Sequence, residues 1–131
     1  MFNRKKPPPI KSLLALGSQI HGDFVFSDGL RIDGEVLGNV RASDAGSSLL
    51  VISECAHVVG EVRADHVIIN GRVEGPVTAM QLLELQPKAR IEGNVHYRAL
   101  EMHQGATIAG QLRPMLPGEE KTALKLAASN G

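Results

Sequence analysis

The sequence predicts an all-β protein: a right-handed parallel β-helix of about six coils, carried between flexible N- and C-terminal tails. Three observations predict it. A short phrase, apolar-x-Gly-x-apolar, occurs six times, centred on Gly22, Gly38, Gly60, Gly75, Gly93 and Gly110, at spacings of 16, 22, 15, 18 and 17 residues. Around these glycines the apolar residues recur every second position, which is the period of a strand rather than a helix. The hydrophobes suit a narrow core: there is no Trp, one Tyr and three Phe, against 14 Gly and many Val, Ile and Leu, so branched aliphatics and tight corners must do the packing. Short strands meeting at glycine corners and returning to register about every 17 residues describe the coils of a solenoid.

Taken in order, residues 1–17 read as a flexible, basic, Pro-rich tail. Its Met1 and Phe2 are apolar and are followed by Arg4, Lys5 and Lys6, with Pro7 to Pro9 as a stiff spacer. Residues 18–113 are the solenoid. In "LRIDGEVLGNV" the apolar residues 30, 32, 36 and 40 share one parity, with Arg31, Asp33, Glu35 and Asn39 between them; Leu37 is the exception. Gly34 and Gly38 fall on the inward parity, where a side chain would collide at a bend. Gly71 and Gly75 repeat that arrangement after Val67 and Ile69. The long spacing contains "SDAGSS", residues 43–48, a loop inserted between strands. "LLELQPKARIEGNV" from Leu82 aligns without gaps with "ALEMHQGATIAGQL" from Ala99 and with "LLVISECAHVVGEV" from Leu49. Residues 114–131 are a second flexible tail, interrupted by Pro114 and Pro117, with room for a short helix over 119–128.

The hand follows from the spacing. Left-handed hexapeptide solenoids repeat every six residues, and the irregular glycine spacing here lacks that period. Six coils at about 4.8 Å make a rod on the order of 25 to 30 Å long.

Composition excludes several functions. Lys plus Arg equals Asp plus Glu at 14 each, so net charge offers no general attraction to nucleic acid. Four basic residues precede the first acidic one, Asp23, which leaves ten basic against fourteen acidic in the remainder: a basic tail on a mildly acidic body. The single cysteine, Cys55, rules out an intramolecular disulfide framework and suits a reducing compartment. No apolar run reaches the ~20 residues of a spanning helix, and "KSLLALGSQI" is too short and polar for a secretory signal. No phosphate-cradling glycine loop opens a helix.

The residues that could carry chemistry are scattered. His21, His57, His66, His96 and His103 fall at differing places in the coil and read as surface groups, not as a metal site. Cys55 sits beside His57, but no third group is spaced to orient a thiol–imidazole pair. Asp33, Glu35, Glu61, Glu74, Glu92 and Glu101 point outward by alternation and read as a solvated acidic face. No catalytic residue, metal or cofactor is expected.

The run of I-x-G-x-V phrases, the core of about a hundred residues, a tail beginning Met1-Phe2 followed by basic residues, and a Pro-containing C-terminal tail resemble the bactofilins. The resemblance covers about residues 18–113. It implies a bacterial cytoskeletal scaffold that polymerises without nucleotide, lies at the inner face of the cytoplasmic membrane, and helps localise cell-shape and cell-wall machinery. The implied partners are further copies of the chain, membrane lipids, and cell-wall or morphogenetic proteins. The alternative class is a small solenoid enzyme of the acyltransferase or carbonic-anhydrase type.

An open solenoid end exposes unpaired strand edges and an apolar disc. The expected polymer contacts are therefore Ile20, Phe24, Phe26 and Leu30 in the first coil, and Leu100, Met102, Ile108 and Leu112 in the last. For the membrane, Met1, Phe2, Arg4, Lys5 and Lys6 are the expected contacts. Burying Phe2 is worth ~1.5 to 3 kcal/mol and each basic residue near anionic lipid ~1 kcal/mol. One tail is thus marginal, and a filament displaying many would bind by multivalency.

Overall fold

A computed structural model describes residues 8–43 and 47–115. Among them are fifteen strands and no helix, and every pairing is parallel. The chain winds through three faces in turn, six times. The first face of successive coils is formed by β1 (Ile10–Leu14), β4 (Gly29–Ile32), β7 (Leu49–Ile52), and the C-terminal halves of β9 (Val62–Ile69), β11 (Val77–Leu85) and β13 (Val95–Met102). The second face is β2 (Gln19–His21), β5 (Glu35–Leu37), β8 (His57–Val59), β10 (Arg72–Glu74), β12 (Arg90–Glu92) and β14 (Thr107–Ala109). The third is β3 (Phe24–Phe26), β6 (Val40–Ala42), the N-terminal halves of β9, β11 and β13, and β15 (Leu112–Pro114). The all-β parallel solenoid of about six coils expected from the glycine repeat is what the chain forms.

Because the ladder is in register, equivalent residues of successive coils stack into columns. Leu30, Leu50, Val67 and Leu83 form one, and Ile32, Ile52, Ile69 and Leu85 a second. Val36, Val58, Val73 and Ile91 form a third, and Val40, Val62, Val77 and Val95 a fourth. All sixteen are at most 1% exposed. Like shapes stacked at strand spacing fill the interior without aromatic anchors. The alternation pattern misses the remaining core, which is largely alanine: Ala56, Ala64, Ala79 and Ala89 are buried as well.

Each coil has two kinds of corner. Between the second and third faces stands the glycine column. At Gly60, φ is +149° and an added Cβ would lie 2.2 Å from the carbonyl oxygen of Gly38. The same clash with the preceding coil recurs at Gly38, Gly75, Gly93 and Gly110. What excludes a side chain is thus the backbone of the neighbouring coil, not inward side chains as the alternation suggested. The Gly60 N–H meanwhile donates to Glu74 O at 2.9 Å, so the ladder runs unbroken through the corner. Beside it, Asp23 Oδ1 accepts the Asn39 N–H (3.1 Å), Asn39 Oδ1 the Glu61 N–H (2.8 Å) and Asn94 Oδ1 the Gln111 N–H (3.0 Å), which gives the Gly-Asn pairs a physical reason.

Between the first and second faces the corner takes two forms. Coils one, three, five and six make a turn closed by a backbone bond, such as Ala56 N–H to Ser53 O at 3.0 Å. Coils two and four cut across at Gly34 and Gly71, which nest against the turns beside them: a Cβ on Gly34 would meet Ser18 O at 2.4 Å, and one on Gly71 would meet Ser53 O at 2.2 Å. This mixture of long and short corners contributes to the irregular glycine spacing.

The tail boundary at residue 17 requires correction. Ile10–Leu14 forms β1 and pairs with β4, placing Ser12 opposite Leu30 and Leu14 opposite Ile32. The solenoid therefore starts inside the segment read as tail. An inward serine and the adjacent Leu13 and Leu14 break the apolar alternation that marks the other coils. The reading of 114–131 as tail falls outside the described residues from 116 onward, as does the short helix over 119–128.

Candidate functional site

The two ends of the rod are its unpaired surfaces among the described residues. At the C-terminal end the outermost strands are β14, β15 and the C-terminal half of β13. Their inward residues continue the four columns: Leu100 follows Leu83, Met102 follows Leu85, Ile108 follows Ile91 and Leu112 follows Val95. Burial drops within this one coil. The fifth-coil members are at most 1% exposed, whereas Met102 is 46% and Leu112 47% exposed. Leu100 and Ile108 are half-buried against the core. Full burial of such a side chain is worth ~1.5 to 3 kcal/mol, so covering Met102 and Leu112 alone would gain about 1 kcal/mol each. Besides the apolar disc, the strands present backbone N–H and C=O groups that only water or another strand can satisfy.

The N-terminal end is built differently. Leu30 is fully buried because β1 lies over it, so it is not an end residue, and Phe26 is only 6% exposed. The end-facing apolar groups are Leu14, Ile20 and Phe24, all half-buried, with Ser12 standing where the other coils place an aliphatic residue. Gly22 stands at the top of the glycine column with nothing within 4 Å of a would-be Cβ. The two discs differ in composition: the C-terminal one is the more apolar and the more open. Met1, Phe2, Arg4, Lys5 and Lys6, the expected membrane contacts, lie outside the described residues.

On the outer faces, polar residues pair between coils. The second face carries a ladder in which His57 lies between two carboxylates, Nδ1 3.3 Å from Glu35 and Nε2 2.5 Å from Glu74. Arg72 continues it to Glu74 (3.3 Å) and Glu92 (3.1 Å). With both ring nitrogens of His57 set against carboxylates, neither is directed at the Cys55 thiol, which is exposed. Asp33 is held below the usual carboxylate range, chiefly by a hydrogen bond from Ser53 and then by Arg31, whose Nε lies 2.9 Å away. Glu84, Glu101 and His103 converge on the first face, a grouping that scattered spacing concealed.

Among known families, the model of one described as "Bactofilin: Polymer-forming cytoskeletal" matches residues 12–113. That match begins within β1 and ends within β15. No curated protein and no solved structure matches the chain.

Proposed function

Since the chain belongs to the bactofilins, the polymer-forming cytoskeletal family matched over residues 12–113, we propose that it assembles end to end into filaments without nucleotide and serves as a scaffold at the inner face of the cytoplasmic membrane. The observation that carries the assembly reading is the abrupt opening of the core at its last coil, where Met102 and Leu112 stand half exposed beneath unpaired strand edges. Stacking a second copy there would continue the sheets and cover the disc. No ligand is needed to drive that step, because the stabilisation comes from apolar burial and strand pairing already present in the end coil.

The membrane reading rests on residues 1–6. An aromatic residue at position 2 and three cations within the next four positions provide an interfacial anchor and attraction to anionic lipid. Multiplied along a filament, a marginal anchor becomes an effective one. A membrane-bound polymer of this kind would recruit cell-wall and shape-determining proteins to its outer faces. Catalysis has no part in this reading, which fits a structural family.

Ile108→Lys tests it. The substitution places a charge in the disc while leaving the fifth coil intact, so the variant should retain its β-type circular dichroism and form no filaments in electron micrographs. Filaments in that folded variant would contradict the end contact.

A further inference from the structure

We propose that Glu84, Glu101 and His103 form a divalent transition-metal site on the first face of the solenoid, with Zn²⁺ the ion that their donor set suits. Glu84 in β11 and Glu101 in β13 are register partners, so the parallel ladder itself holds two carboxylates side by side on neighbouring strands. His103, directly after β13, turns back across them, with Nε2 3.2 Å from Glu84 Oε2. One ligand atom from each of the three lies within 4.8 Å of the others.

Like charges placed opposite each other in a sheet are destabilising, and among the described residues His103 is the basic group set against this pair. Lys88, in the turn that follows β11, is engaged elsewhere, with Glu54 at 3.0 Å. Gln86 Nε2 donates to Glu84 Oε2 at 3.3 Å and so helps fix the orientation of that carboxylate. Two carboxylates and a neutral imidazole carry two negative charges, which a divalent cation balances.

The donors select the ion. One nitrogen and two carboxylate oxygens match a three-ligand zinc site with its fourth position open, with bonds of about 2.0 to 2.2 Å. Mg²⁺ and Ca²⁺ favour all-oxygen coordination, and the imidazole nitrogen of His103 is a poor ligand for either. Glu101 and His103 are exposed and free to turn toward the half-buried Glu84, and the backbone register is already set. An ion held there would bridge the fifth and sixth coils, bracing the coil that forms the C-terminal end.

The test is calorimetric titration of the full-length chain with ZnCl₂ and, separately, MgCl₂, repeated for Glu101→Gln, His103→Gln and a control on another face, His96→Gln. The site requires about one Zn²⁺ per chain in wild type, at least a tenfold weaker affinity in each site variant, no change in His96→Gln, and much weaker Mg²⁺ binding. Circular dichroism checks that the variants fold. As a readout free of substitution, Zn²⁺ should protect His103 from diethyl pyrocarbonate in the wild-type chain, as read by mass spectrometry. No Zn²⁺ binding, affinity unchanged in both site variants, equal loss in His96→Gln, or unprotected His103 would each overturn the site. Filament formation does not enter these readouts, so the site and the assembly reading stand or fall separately.

Discussion

Replacing Gly60 with alanine should destabilise the fold markedly, and by more than the same replacement at Gly22. At Gly60 the new Cβ would stand 2.2 Å from Gly38 O and 2.5 Å from Gly38 C. Relief requires the coils to part by about 1 Å of their ~4.8 Å spacing, which stretches the bonds from Gly38 N–H to Val59 O (2.9 Å) and from Val40 N–H to Glu61 O (2.8 Å). Two weakened backbone bonds cost roughly 0.5 to 1.5 kcal/mol each, and holding alanine at a glycine-favoured φ costs about 1 to 3 kcal/mol. The sum, about 2 to 6 kcal/mol, is a large part of the ~5 to 15 kcal/mol that holds a domain together. Gly22 shares the positive φ, +126°, but has nothing within 4 Å, so only the backbone term applies. Urea denaturation of both variants in the Ile108→Lys background, which keeps assembly out of the comparison, should show Gly60→Ala the less stable by at least about 1 kcal/mol. Equal midpoints would refute the claim that coil-to-coil backbone contact enforces glycine.

Three further outcomes follow from particular contacts. Ser48→Ala should cost about 1 to 2 kcal/mol, because the buried Ser48 hydroxyl accepts the Asp65 N–H (2.9 Å) and donates to Asp65 Oδ2 (3.3 Å); an unchanged denaturation midpoint would contradict it. Asp33 should titrate in the folded chain below its usual value of 3.8, measurable by carboxyl carbon NMR, and Ser53→Ala should raise that midpoint. With the folded value below the unfolded one, the small stabilisation is fully present above about pH 4 and is lost as pH falls through the folded midpoint; a wild-type midpoint at or above 3.8 would reverse the argument. Deleting residues 1–6 should sharply reduce co-sedimentation with anionic liposomes, and equal pelleting of the shortened chain would count against the tail as membrane anchor.

Much of the fold was legible because a solenoid repeats one sentence. The glycine phrase marked one corner of every coil, and the two-residue alternation in "LRIDGEVLGNV" picked out Leu30, Ile32, Val36 and Val40, one member of each of the four buried columns. The ungapped alignment of Leu82 with Ala99 is the register that β11 and β13 adopt. Legibility failed where a side chain carries little signal. Ala56, Ala64, Ala79 and Ala89 line the core, but alanine is common inside and outside proteins alike. β1 escaped notice because Ser12 occupies an inward position and prolines precede it. The consequence was Leu30, which alternation placed at the rod's end and which β1 covers. The Glu84–Glu101–His103 grouping was half visible, since alignment set the two glutamates opposite each other. That His103 turns back onto Glu84, 19 residues earlier, depends on how the chain leaves β13, and no periodicity encodes that.

Fibre diffraction or high-resolution electron microscopy of nucleotide-free filaments bears most directly on end-to-end assembly. Stacked rods place the strand spacing of about 4.8 Å along the filament axis, with subunits repeating at about 29 Å or twice that. Filaments whose strand spacing lies across the axis, or whose subunits meet through their outer faces, would contradict it.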